Sequence, residues 1–182
     1  MKISRLLFTL LLMLSNPVAA EDGKDLFAAA ASGKWERVQA LLAQGIDVNS
    51  KIEQDRTPLM AASFNGNLRI VKLLLSYGAD VNMADKFGTT ALADAVLFGN
   101  VDVIKALILA GADVNATDTQ QLAILDKAKK TGREPVIKLL EEAGAKPAEP
   151  RPEAAEKIGT EGDGESKASP KAATENKSEQ SK

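Results

Sequence analysis

Histidine and cysteine are both absent from this chain of 182 residues. Histidine is the most frequent general base near neutral pH, and the cysteine thiolate is an intrinsically strong nucleophile. Their absence excludes the commonest acid–base and thiol mechanisms. The same two residue types supply most ligands of zinc and related metals, so the usual metal sites are excluded as well. We therefore expect the protein not to be an enzyme and to need no cofactor.

An excess of basic charge is also missing. The sequence has 23 Lys and Arg against 25 Asp and Glu, and removing Lys2 and Arg5 with the leader described below leaves 21 basic residues. Binding to a phosphate backbone depends on a basic patch or stripe, and none is evident in this mildly acidic chain. We therefore do not expect nucleic acid as a partner.

The N-terminus has the pattern of a secretory leader. Lys2 and Arg5 precede an apolar stretch of nine residues from Leu6 to Leu14, and small residues end at Ala20. This order is typical of a signal peptide. The stretch is well short of the roughly 20 residues that span a bilayer, so we expect no stable membrane anchor. The sequence predicts that residues 1–20 are a signal peptide cleaved after Ala20. A small domain without disulfides behind such a leader favours the periplasm.

What the chain does contain is a repeat with a period of 33 residues. Two series of glycines follow this period: Gly33, Gly66, Gly99 and Gly132, and Gly45, Gly78, Gly111 and Gly144. Whole motifs recur with the second series, as in Gly78-Ala-Asp-Val-Asn82 and Gly111-Ala-Asp-Val-Asn115. Units this short cannot bury an apolar face alone, so the pattern predicts a stack of units with a shared core.

Each unit has the pattern of two helices. In the second unit, Thr57 is placed to cap a short helix and Pro58 takes its first position. Gly66 ends that helix. A longer helix from Leu68 to Tyr77 carries apolar residues at the three-and-four spacing of an amphipathic helix and ends at Gly78.

The order of elements in each unit resembles the ankyrin repeat: a helix, a glycine turn, a second helix, Gly-Ala-Asp-Val-Asn and a polar hairpin. The third unit is nearest to the family pattern, with Asp85-Lys-Phe-Gly88-Thr-Thr90-Ala-Leu92. The resemblance covers Asp25 to Lys146, roughly two-thirds of the chain. It implies an all-α ankyrin solenoid of four stacked helix-turn-helix units with short hairpin loops, in a domain of residues 21–146 whose first and last units act as caps.

The chain departs from the family pattern in three respects. The first unit lacks its hairpin. The family's usual His is replaced by Met60, Ala93 and Asp126, which removes an inter-repeat hydrogen-bonding side chain. The fourth unit has charged residues at apolar positions, which suits the wettable outer face of a cap. These residues are Asp126, Lys127, Lys129 and Lys130.

Carboxylates are the remaining candidates for catalysis. Asp47, Asp80 and Asp113 recur with the period, and each is followed two residues later by an Asn. A residue that every unit requires is more simply a hydrogen-bonding residue of the turn, and we expect that role. The sequence thus favours a binding module over an enzyme.

The resemblance places the binding surface on the concave face and the hairpin tips, at the positions that vary within the family. These positions are Glu53, Gln54, Arg56, Phe64, Asn65, Tyr77, Lys86, Phe87, Thr89, Leu97, Phe98 and Gln120, with Ala31, Ser32, Ala110, Thr119 and Leu122 at equivalent places. We expect a protein partner, clasped sterically, and a monomeric binder.

The few aromatic residues fall mostly at these variable positions. Phe64, Phe87, Phe98 and Tyr77 are expected to be exposed anchors, because aromatic side chains give large contact area at low entropic cost. Phe64 and Phe98 have an alternative role in packing against the next repeat. For Trp35, at the start of a second helix, we expect core and capping duty.

Residues 147–182 have one large aliphatic side chain, Ile158, among Ala, Glu, Lys, Pro, Ser and Gly. Such a segment cannot bury enough apolar surface to fold alone, and the sequence predicts a disordered tail, either solvated or a tether. For the whole protein, the hypothesis is an inhibitor or immunity-type partner of an envelope enzyme. The alternative is a scaffolding or stress-defence role that supports a response to oxidative damage.

Overall fold

The computed structural model describes residues 19–148, with side chains from residue 23 onward. The leader up to residue 18 and the tail beyond residue 148 lie outside these residues, so the signal peptide and the disordered tail stay predictions. Among the described residues, no helix is both long and apolar enough to cross a membrane.

Eight α-helices form four consecutive pairs, and the part of the chain that the structure describes has no β-strand. The pairs are α1 (Ala19–Ala31) with α2 (Trp35–Ala43), α3 (Pro58–Phe64) with α4 (Leu68–Ser76), α5 (Ala91–Phe98) with α6 (Val101–Leu109), and α7 (Ile124–Thr131) with α8 (Glu134–Glu142). The all-α, four-unit architecture is confirmed.

The helices form two layers. The first helices of the pairs, α1, α3, α5 and α7, pack against one another in sequence, and α2, α4 and α6 do the same behind them. One leucine column runs through the core, and each member is at most 2% exposed: Leu26, Leu59, Leu92 and Leu125. The core is therefore continuous from the first unit to the fourth.

The predicted helix ends agree with the structure, except that the longer helix of the second unit ends at Ser76 and not at Tyr77. The Thr57 hydroxyl accepts a hydrogen bond from the Met60 amide at 3.3 Å, and Pro58 is the first residue of α3. Glycines follow the C-terminal ends of α3 and α4, where Gly66 and Gly78 have φ of +70° and +84°. Met60, which replaces the family's His, is fully buried, so apolar packing takes the place of a hydrogen-bonding side chain at that position.

The recurring Asp residues form the turn hydrogen bonds that the sequence predicts, and the recurring Asn residues in addition connect neighbouring units. Asp80 Oδ1 accepts from the Asn82 amide at 2.9 Å, which shapes the turn. Asn82 Oδ1 then accepts from the Asp113 amide at 2.8 Å, and its Nδ2 donates to the Gly111 carbonyl at 3.1 Å. Asn49 makes the equivalent bonds one unit earlier, and Asn115 accepts from the Lys146 amide. We call this series of cross-unit hydrogen bonds the asparagine ladder.

The hairpins of the third and fourth units are regular, and that of the second is not. Antiparallel bridges pair Ala84 with Thr90 and Thr117 with Ala123. The second unit instead forms a 3-10 turn at Glu53–Asp55, in which Gln54 has φ of +62°. This unit has Ile52 where the next one has Asp85, so it lacks the carboxylate that shapes the later hairpins.

Candidate functional site

A cavity of about 720 Å³ lies on the side of the stack formed by the hairpins and by α3, α5 and α7, which we call the inner face. Seven of the positions predicted for binding line it: Gln54, Arg56, Phe64, Phe87, Thr89, Leu97 and Leu122. Six further residues complete the lining: Asp85, Ala93, Asp94, Lys127, Lys130 and Thr131. Side chains of the second, third and fourth units therefore meet in one place.

Large apolar side chains remain exposed beside and within this cavity. Phe64 and Phe98 are 40% and 44% exposed, and their ring centroids lie 4.1 Å apart with planes at 54°. Phe64 thus packs against the next unit, which was the alternative role, but both rings keep a large free surface. Phe87 and Leu97 are 54% and 49% exposed. We call Phe64, Phe87, Leu97 and Phe98 the apolar wall.

The hairpin that carries Phe87 is held by a buried carboxylate. Asp85 Oδ1 accepts from the amides of Phe87 and Thr89, both at 2.9 Å. Gly88 follows with φ of +74°, and a Cβ at this position would lie 2.9 Å from the Asp118 Cα of the next hairpin. Only glycine satisfies both the left-handed conformation and this close backbone approach. The position of Phe87 is therefore set by its own hairpin and by the next one.

Charged side chains at the base of the cavity are paired with one another. The Arg56 guanidinium contacts Asp85 at 3.2 Å and Asp94 at 2.8 Å, and both carboxylates are buried. Lys127 Nζ lies 2.8 Å from Asp118 Oδ2. Arg56 is among the positions predicted for binding. Its side chain is 21% exposed and engaged in two ion pairs, because the second and third units stack closely enough for these charges to meet.

Two of these carboxyl groups have displaced pKa values. Burial raises the pKa of Asp94 from 3.8 to about 6, although Arg56 acts in the opposite direction. For Asp118, partial burial acts to raise the pKa, but hydrogen bonds from Lys127 and from two backbone amides outweigh it and lower the pKa below its ordinary value. Asp94 therefore changes charge near pH 6.

The other predicted binding residues lie away from the cavity lining. Asn65 donates to the carbonyls of Ala31 and Ala61, which gives it a structural contact between units. Tyr77 is 46% exposed at the end of α4. Three polar side chains are exposed on the hairpins without lining the cavity: Glu53, Lys86 and Gln120. Their binding roles stay predictions.

Trp35 has the structural role expected from the sequence. It is partly buried against the core, and the Arg69 guanidinium lies 3.8 Å from the centre of its ring. This cation–π contact joins α2 to α4, so Trp35 helps to hold the first unit on the second.

Sequence reasoning missed the charged residues of the inner helices. Ala61, Asp94 and Lys127 occupy one column of the repeat, and the last two carry opposite charge one period apart. In a stack of units, residues one period apart are neighbours, so this column was the available signal that opposite charges approach each other across α5 and α7. In the structure Lys127 acts electrostatically on Asp94, but its ion pair is with Asp118. Lys130 was assigned to a solvated face; it is exposed, and it also lines the cavity.

Comparison with protein families identifies residues 26–118 as three copies of ankyrin repeats. The matched segment is about half of the chain and ends before α7. The fourth helix pair lies beyond the match, where charged residues replace the apolar pattern. No curated protein matches the chain.

Proposed function

Because the chain belongs to the ankyrin repeat family, whose repeats are protein interaction modules, we propose that it binds a partner protein through the inner face, with the apolar wall as the central contact. The observation that carries this proposal is the concentration of four large apolar side chains, each at least 40% exposed. Three of them line one cavity, and Phe98 packs against Phe64 beside it.

The physical reason is the cost of leaving such a surface in water. Burial of apolar area contributes about 25 cal/mol per Å², and aromatic side chains dominate the energetics of interfaces. Phe64 and Phe98 support each other, and hydrogen bonds fix the Phe87 hairpin. Little ordering cost therefore remains for these groups on binding.

For the biological setting, we propose a periplasmic protein that inhibits, or protects against, an enzyme of the cell envelope. The leader pattern of residues 1–20 supports the compartment. The inhibitor role is supported by a chain that offers a binding surface but lacks His and Cys. Such a binder acts sterically, by covering a partner's surface. The alternative is a scaffold that supports a response to oxidative damage, and the identity of the partner separates the two.

The compartment is tested by expressing the full chain with its own N-terminus in a Gram-negative host. Intact mass spectrometry of the osmotic-shock fraction is expected to give a protein that begins at Glu21. An uncleaved protein that starts at Met1 and stays in the cytosol would contradict the localisation.

The binding face is tested by capture from periplasmic extract with matched leucine variants. Leu97 and Leu109 are both exposed, but only Leu97 lines the cavity, while Leu109 ends α6 on the opposite layer. We expect Leu97→Ala and Phe87→Ala to weaken capture of the specific partner, with a loss of about thirtyfold for Phe87→Ala. Leu109→Ala is expected to bind like the wild type. Equal binding by all three variants would exclude the inner face.

A further inference from the structure

Two of the three cationic side chains that line the cavity have an ion-pair partner, and the third has none among the described residues. Arg56 is paired with Asp85 and Asp94, and Lys127 is paired with Asp118, which lies outside the lining. Lys130 is exposed in the last turn of α7 and has no ion-pair partner among the described residues. The lining thus carries three cationic side chains and two carboxylates, although the chain as a whole is acidic.

The unpaired cation lines the same cavity as three of the four residues of the apolar wall. Phe64, Phe87 and Leu97 line its apolar part, and Lys130 and Thr131 line it from the fourth unit. A carboxylate brought to Lys130 would gain a charge-assisted contact without displacing an existing ion pair. A positive group at the same place would meet uncompensated repulsion from Lys130.

We propose that the cavity takes a segment of a partner protein that places one bulky apolar side chain against the apolar wall and, beside it, an Asp or Glu carboxylate against Lys130. This inference rests on the proposed function and specifies the chemistry of the partner. Electrostatic complementarity then selects acidic segments, while the apolar contact supplies most of the affinity.

The volume agrees with an occupant of this kind. Ligand cavities of roughly 300–1,000 Å³ are lined mainly by apolar groups and hold a few polar groups that fix orientation. At about 720 Å³, the space is of the size expected for one large side chain together with its neighbours. The paired charges of Arg56, Asp85 and Asp94 form a preorganised base, so binding is not expected to require their rearrangement.

The experiment is a selection of displayed random dodecapeptides on the full-length protein, with counter-selection on the Leu97→Ala variant. We expect enrichment of peptides in which a Phe, Leu, Ile or Trp lies within a few residues of Asp or Glu. The affinity of one enriched peptide is then compared with that of its copy carrying Gln in place of Glu. Fluorescence anisotropy measures both against the wild type.

Two charge-reversed variants provide the decisive comparison. Lys130→Glu is expected to weaken binding of the acidic peptide about tenfold. In this variant the acidic peptide should no longer bind more tightly than its Gln copy. Lys105→Glu makes the same change on an exposed lysine of α6 and is expected to leave the affinity unchanged. Circular dichroism checks that both variants are folded.

Three outcomes would overturn the inference. In the first, the enriched peptides lack acidic residues, and their binding is weakened by Leu97→Ala but not by Lys130→Glu. This result would exclude a carboxylate contact at Lys130, while the proposed function of the inner face would stand. Enrichment of basic peptides would exclude that contact as well. Absence of any peptide that prefers the wild type to the Leu97→Ala variant would exclude a linear segment. The proposed function is tested separately, by the capture experiment with the Leu97 and Leu109 variants.

Discussion

Asp94 makes the stability of the domain depend on pH in a direction unusual for a carboxyl group. Its side chain is almost completely buried, and its pKa is about 6 in the folded protein against 3.8 for the ordinary group. The folded state therefore holds the proton more tightly than the unfolded state does. The stabilisation is complete below pH 3.8 and is lost as the pH rises through about 6.

The magnitude follows from the two pKa values. One pKa unit corresponds to about 1.4 kcal/mol, so the full effect is about 3 kcal/mol, of which about 2 kcal/mol fall between roughly pH 4.5 and 7.5. The lowered pKa of Asp118 acts with the opposite sign, since its stabilisation is lost as the pH falls. That loss occurs below the ordinary carboxyl pKa and so lies outside this window.

The assay is urea unfolding of the wild type and of Asp94→Asn at a series of pH values. We expect the free energy of unfolding of the wild type, relative to the variant, to fall by about 2 kcal/mol from pH 4.5 to 7.5. Titrations common to both proteins cancel in this difference. A difference that stays constant, or that increases with pH, would refute the reasoning, because it would mean that Arg56 outweighs burial and keeps Asp94 ionised.

Three further predictions concern the structure that presents the cavity. Gly88→Ala should cost about 2–3 kcal/mol and Gly111→Ala about 1 kcal/mol, because both have positive φ but only Gly88 abuts the next hairpin; equal losses in urea unfolding would show that the hairpins do not touch. Asn82→Ala removes two cross-unit hydrogen bonds and should cost about 1–2 kcal/mol, with an unchanged melting temperature counting against the asparagine ladder. Leu74→Ala should cost about 2–5 kcal/mol by opening a core cavity, and a loss below 1 kcal/mol in calorimetry would contradict its complete burial.

Features repeated from unit to unit could be predicted from the sequence. The glycines at the helix ends and the leucine column recur in all four units, and the cap at Thr57 recurs at Thr90 of the third unit, so one unit predicts the next. The exposure of Phe64, Phe87 and Phe98 was also predictable, because they occupy positions outside the apolar core pattern. Local rules and periodicity are sufficient for such features.

Features peculiar to one unit were harder to predict. The Arg56 ion pairs join residues 29 and 38 positions apart and depend on the side-chain directions of two neighbouring units. The 3-10 turn at Glu53–Asp55 follows from a missing aspartate, which has no periodic signature. The cavity itself arises where these irregular residues meet, so its charge pattern emerged only in the folded stack.

The asparagine ladder couples each unit to the next unit only, and this arrangement affects how readily backbone amide hydrogens exchange with solvent. Within the described stack, the fourth unit has a neighbouring unit on one side alone, so its amides should open at lower free energy than those of the second and third. Lys127 and Lys130 lie on that unit, so its opening removes the part of the cavity lining that it contributes. Any occupant must then bind the closed form selectively, and it should slow hydrogen–deuterium exchange in α7 and α8 more than in the rest of the stack.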